Sequence, residues 1–237
     1  MSAADVKSEI DALADPERAA VSARYLGVVP GGYGEGDVLR GLPVPAQRAV
    51  ARRARDLPLE EVALLLGSPV HEHRFVAVVI LVERYRRARS RDDRAALSRF
   101  YLAHRAGVDN WDLVDVSAPD LVGGELVADG DRWVLDDLAG GIDVWDRRIA
   151  MVATFALIRR GETGPTLALA ERFLTDPHHL MHKATGWMLR EVGKRDEAAL
   201  VAWLERHRRA MPRTMLRYAI ERLDPATRAA LMARDEN

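Results

Sequence analysis

Five charged positions set the register of this chain. Arg74, Asp112, Arg148, Lys183 and Arg217 recur at steps of 38, 36, 35 and 34 residues. Each is followed by an apolar or small pair: Phe75-Val76, Leu113-Val114, Ile149-Ala150, Ala184-Thr185 and Tyr218-Ala219. The segments around them carry apolar residues at helical spacing, and strand signals are nearly absent. A drifting period in the thirties, built from helices, marks stacked helix pairs that bury their apolar faces against one another. Such arrays curve and leave a concave groove.

The pattern predicts an all-α fold, a right-handed solenoid of HEAT-like paired-helix repeats. We read residues 1–237 as one such domain, with repeats over roughly 45–237 and N-terminal helices and a Gly/Pro-rich loop over 1–45. Helices are expected in "PLEEVALLLGS", "HEHRFVAVVILVERYRRA", "DPHHLMHKATGWMLREVGKRD" and "MPRTMLRYAIERLD". Another starts after the N-cap Asp143 in "DVWDRRIAMVATFALIRRG" and stops at Gly161. "VVPGGYGEGDVLRGLPVP" reads as a loop with a function of its own rather than a linker.

Composition narrows the class. At 48% hydrophobic over 237 residues the chain can bury a sizeable core. No apolar run is long enough to span a bilayer. The acidic, polar N-terminus does not read as a secretory signal. With no cysteine there is no disulfide and no thiol chemistry. A cytoplasmic protein is expected. The net charge of −1 says nothing about nucleic acid, but its distribution does. Only Lys7, Lys183 and Lys194 among the 35 basic residues are lysine, which leaves 32 arginines. Codon bias accounts for that, yet each guanidinium is still a planar fork suited to phosphate. Acids crowd the first 20 positions and basic runs follow later, so the field is uneven.

The stretch "NWDLVD" carries a candidate site. Asn110 is a good N-cap, which makes Trp111 the first helical residue. Asp115 then lies one turn on, on the same face as Trp111. Asp112 and Asp115 near a helix N-terminus are also what the helix dipole favours, with no function implied. A core role is the plain reading of Trp111. Trp187 argues against core packing for every indole. Its column on the helix runs Lys183, Trp187, Arg190 or Glu191, then Lys194, beside a core stripe of Met181, Ala184, Met188 and Val192. Rings among cations suit a nucleic-acid surface. Trp145 and Trp203 align with apolar residues and are expected in the core, while the pattern does not place Trp133. Arg148 shares its column with Met151, Val152 and Phe155, so it is partly buried or snorkelling. It either pairs with an acid of a neighbouring repeat or clamps a phosphate.

Other motifs fail. The histidines of "HEHRF" and "DPHHLMH" do not make a zinc set. "GGYGEG" lacks the strand and Gly-Lys-Ser/Thr of a Walker loop. No metal and no cofactor are implied.

Taken in order, "NWDLVD", "WDRRIAMVATFALIRRGE", "HHLMHKATGWMLREVGKRD" and "MPRTMLRYAIERL" resemble the DNA alkylation repair glycosylases of the AlkD type. The likeness runs from about Tyr25 to Leu223. It implies a helical solenoid and hydrolysis of the N-glycosidic bond of cationic N3- and N7-alkylpurines in duplex DNA, without flipping the base into a pocket. It implies a monomer on alkylated double-stranded DNA, off the membrane. By this resemblance Asp115, Trp111 and Trp187 are the catalytic set. Arg148 holds a phosphate, Tyr25 matches a further aromatic near the site, and Lys183, Arg190 and Lys194 fall in the DNA-binding stripe. A DNA-binding repeat protein without catalysis and a protein-binding scaffold are the competing readings.

Overall fold

Helix α5 shows why the chain folds as it does. In the computed structural model, which describes residues 1–130 and 132–233, it spans His71–Arg87 and is buried on every side from His71 through Val82. A helix apolar all round is a core helix. Its polar start is an exception that matters for the site below.

The chain forms two compact units, Met1–Leu121 and Val122–Asn237. The first contains α1 (Ala3–Ala12), α2 (Pro16–Tyr25), α3 (Val44–Arg53), α4 (Leu59–Leu66), α5, α6 (Arg91–Ala103) and α7 (Trp111–Leu121). α3, α4 and α7 pack around α5. α1 opens with a capping box, Ser2 to Asp5, and α2 with Asp15 capping and Pro16 at its first position. Among the described residues there is no strand, only an isolated bridge between Val38 and Val70.

The second unit contains α8 (Gly123–Asp129), α9 (Trp133–Ala139), α10 (Val144–Ala153), α11 (Phe155–Arg159), α12 (Gly164–Arg172), α13 (His179–Arg195), α14 (Glu197–His207), α15 (Arg213–Ala219) and α16 (Pro225–Met232). α13 is its central helix and packs on α10, α12, α14 and α15. It meets α15 closely at Gly186. A Cβ there would stand 2.5 Å from the Met215 carbonyl oxygen and 2.6 Å from Tyr218 Cβ, so only glycine admits this spacing.

The all-helical, paired-helix architecture agrees with the sequence reading. All five register residues lie within the first five residues of a helix, in α5, α7, α10, α13 and α15. Trp145 and Trp203 are core residues, 6% and 2% exposed. Trp133 is 64% exposed at the head of α9. One expectation fails. The helix read as continuous from Asp143 to Gly161 breaks at Thr154 into α10 and α11. Buried Thr154 donates its hydroxyl to the Met151 carbonyl at 2.7 Å, a back-bond that bends helices. Gly123 fits into the bend, where a Cβ would meet the Ala153 carbonyl oxygen at 2.3 Å. The last expected helix also ends early, at Ala219, where a Leu223 to Ile220 turn replaces it.

Candidate nucleic-acid interface

Asn110 starts α7 as its spacing predicts. Its carbonyl accepts the first helical hydrogen bond, from Val114 at 3.1 Å. Its side chain is fully buried and works in two directions. Oδ1 accepts the Trp111 N–H at 2.8 Å, and Nδ2 donates to the Leu26 carbonyl at 2.9 Å. One amide thus caps α7 and ties it to the end of α2. Replacing it with alanine removes a cap worth about 1 kcal/mol and leaves a buried carbonyl unmet at about 1–3 kcal/mol. Asn110→Ala should therefore lose about 2–4 kcal/mol in chemical denaturation followed by circular dichroism.

The same tie seats an aromatic pair. Tyr25, 69% exposed, meets half-buried Trp111 edge to face at a centroid distance of 5.0 Å and 85°. The Gly-rich loop braces Tyr25, because Tyr33 donates its hydroxyl to the Tyr25 carbonyl at 2.9 Å. The Tyr33 ring lies over Gly27, whose φ of +69° and lack of a Cβ both require glycine; an added Cβ would sit 2.6 Å from the ring. Asp115 is half-buried one turn along α7 from Trp111. The loop is therefore part of the scaffold of this face.

Behind the face lies a buried polar network. The α5 start supplies His71, Glu72, His73 and Arg74, each 2–3% exposed. Arg74 Nη2 lies 2.7 Å from both oxygens of Asp37. It is also 3.0 Å from Asp109 Oδ1. Burial of Asp37 would raise its pKa, but hydrogen bonds from His71 and Arg74 hold it below the usual carboxylate range. Burial raises that of Asp109. Burial likewise pushes His73 down to about 4, so it is neutral at physiological pH.

In the second unit, Trp187 is half-buried on α13. Its indole N–H donates to Glu191 Oε1 at 3.1 Å, and its ring lies 6.1 Å from that of Phe155. Phe155 in turn carries the Arg159 guanidinium 4.2 Å from its ring centre. Glu191 also accepts from Lys194 at 2.7 Å. Arg190 pairs with Glu221. Lys183 is exposed and pairs with no carboxylate among the described residues. The charged stripe is there, but much of its charge is internally matched. Arg148 is 4% exposed and donates Nη1 to the Leu180 carbonyl at 2.9 Å. That bond holds α10 to the start of α13. The histidines of α13 serve the helix start: His178 Nδ1 accepts from Leu180 N–H, and His182 Nε2 lies 2.6 Å from the Asp176 carbonyl.

Sequence reasoning named Glu191 in the Trp187 column but missed that it fixes the indole, although the four-residue spacing carried that signal. It missed Tyr33 and Phe155, and it missed the His71–Asp37–Asp112 contacts altogether.

Paired helices around α5 and α13, with no strand among the described residues, define an all-helical repeat protein. Residues 6–223 match the family described as DNA alkylation repair enzyme. A solved structure, "Predicted DNA alkylation repair enzyme from Enterococcus faecalis", is 18% identical, with a TM-score of 0.68 over 90% of this chain and 97% of that one. At that identity it shows the fold. No curated protein matches the chain. The chain belongs to the DNA alkylation repair enzyme family, which gives it a role in DNA repair and DNA as its partner. No described helix is long and apolar enough to cross a membrane.

Proposed function

We propose that this protein is a DNA glycosylase that releases cationic N3- and N7-alkylated purines from duplex DNA, acting as a monomer without flipping the base into a pocket. The observation that carries this is the Trp111–Asp115 pair: an indole and a carboxylate one turn apart, on a helix start braced by Asn110 and Tyr25.

The chemistry asks little more of a protein. An N7-alkylpurine is already positively charged, so its C1′–N9 bond is weak. That bond breaks with its electron pair leaving on the base, which departs neutral, and positive charge develops on the sugar. Asp115 stabilises that charge and orients the water whose oxygen then bonds to C1′ while its proton passes to solvent. Trp111 and Trp187 offer ring faces to deoxyribose and to developing positive charge. Tyr25 extends the aromatic surface beside Trp111. Lys183, Arg190 and Lys194 contact phosphates, with Arg148 as a further phosphate contact. Neutral lesions, lacking the weakened bond, are poor substrates in this reading, and bulky cationic ones are accepted.

The test is release of 7-methylguanine from methylated duplex DNA, with DNA affinity measured in parallel. A folded wild type that binds DNA and frees no base would leave a binding protein. The stripe has its own check. Replacing unpaired Lys183 with alanine should weaken binding and lower the salt slope by about 0.9, the loss of one phosphate contact. Arg190→Ala should change the slope less, because Arg190 already serves Glu221.

A further inference from the structure

We propose that His71 is a positioning residue for α7: held as an imidazolium between Asp37 and Asp112, it fixes the helix turn that carries Trp111 and Asp115. The clamp stands on geometry alone; only its consequence for base release rests on the glycosylase reading.

His71 is 2% exposed, in the first turn of α5. Its Nε2 lies 2.9 Å from Asp112 Oδ2 and its Nδ1 lies 3.3 Å from Asp37 Oδ2. Both carboxyl groups are committed as acceptors elsewhere. Asp37 takes Arg74 at 2.7 Å through both oxygens, and Asp112 Oδ1 takes the Leu113 N–H at 2.9 Å. A ring nitrogen facing an ionised carboxylate must donate, and here both do, so the ring carries both protons. The charged groups facing it are Asp37 from the loop before α3, Asp112 from α7 and Arg74 from its own helix, with Asp109 also paired to Arg74 Nη2 at 3.0 Å and felt by the ring.

Three pieces of chain meet on this cation: the Gly-rich loop, the α5 start and the α7 start. Asp112 is the second residue of α7, directly after Trp111 and three before Asp115. Neutralising the ring would leave Asp37 and Asp112 on either side of an uncharged, buried group. The α7 turn would then lose its anchor. Burial would lower the His71 pKa, but hydrogen bonds to Asp112 and Asp37 raise it from 6.5 to about 9. A histidine raised in the folded state adds stability in full below about 6.5, progressively less above it, and none above about 9.

The primary test uses the unaltered, isotope-labelled chain and histidine-ring NMR. The His71 ring should keep both N–H groups at about pH 8 and lose one near pH 9, with the backbone amides of Trp111 to Asp115 shifting at the same midpoint. A ring that titrates near 6.5, or helix amides that ignore its titration, would overturn the proposal. The second test is single-turnover 7-methylguanine release at saturating enzyme. His71→Gln and Asp112→Asn should each slow release about tenfold or more, with DNA affinity within about twofold, as misplaced catalytic groups do. The wild-type rate should fall above pH 9 and that of His71→Gln should not. The pair His71→Gln with Asp112→Asn, neutral on both sides, should recover part of the loss. A wild type that frees no base but shows the coupled titration sinks the glycosylase reading and leaves the clamp. Release without the coupled titration sinks the clamp and leaves the enzyme.

Discussion

Asp115→Asn should free 7-methylguanine from methylated duplex DNA about 10²–10³-fold more slowly than the wild type, the usual cost of one electrostatic group aimed at a developing charge. Asparagine keeps the shape and removes the negative charge. Affinity for undamaged duplex should stay close to the wild-type value or rise slightly, because a negative group has gone from beside the phosphates. The readout is single-turnover release, which isolates the bond-breaking step from product dissociation. Equal rates for the two proteins would return Asp115 to the role of a helix-end acid. A parallel loss of rate and affinity would mean the substitution disturbed the surface rather than the chemistry.

Glu72→Ala should cost the first unit about 3–5 kcal/mol, among the largest effects of any single change. Glu72 is 3% exposed, and its carboxylate gathers three backbone donors. Both oxygens lie 3.0 Å from the Arg40 amide nitrogen, and Oε1 also accepts from Gly41 at 2.7 Å and Leu42 at 3.4 Å. Hydrogen bonds to a charged acceptor contribute about 1.5–3 kcal/mol each, and truncation leaves the donors buried and unmet. Glutamine retains one acceptor oxygen but turns an NH₂ toward N–H groups, so Glu72→Gln should fall between alanine and the wild type. Denaturant midpoints followed by circular dichroism give the order. A variant as stable as the wild type would show that water replaces the carboxylate.

The helices were legible because their signals are local. Apolar spacing marked α5 and α13, and the Asp143 cap marked the start of α10. The register was legible because its charged residues sit in the opening turns of helices that repeat. The break at Thr154 was not, since threonine is an ordinary helix residue until a neighbour such as Gly123 rewards the bend. The Asn110–Trp111 start of α7 followed from capping preference, but the second bond of Asn110, to Leu26, spans 84 residues and leaves no local trace. The same holds for His71 and Asp112, 41 residues apart. The sequence left Arg148 open between pairing with an acid of a neighbouring repeat and clamping a phosphate. Its burial and its bond to Leu180 show why a column of apolar neighbours could not decide between them.

Helix α13 has one more consequence, for chemical labelling. Of the three lysines in the chain, two lie on it, Lys183 and Lys194, one on each side of Trp187. Eleven residues of helix separate their Cα atoms by about 16 Å along the axis. Every other basic side chain apart from Lys7 and the histidines is a guanidinium, which amine-selective acylating reagents leave alone. Reductive methylation or acetic anhydride therefore marks this one helix at two points, against a background of Lys7 and the α-amino group. Protection of the two marks when duplex is added would report, residue by residue and without any mutation, whether DNA lies along α13.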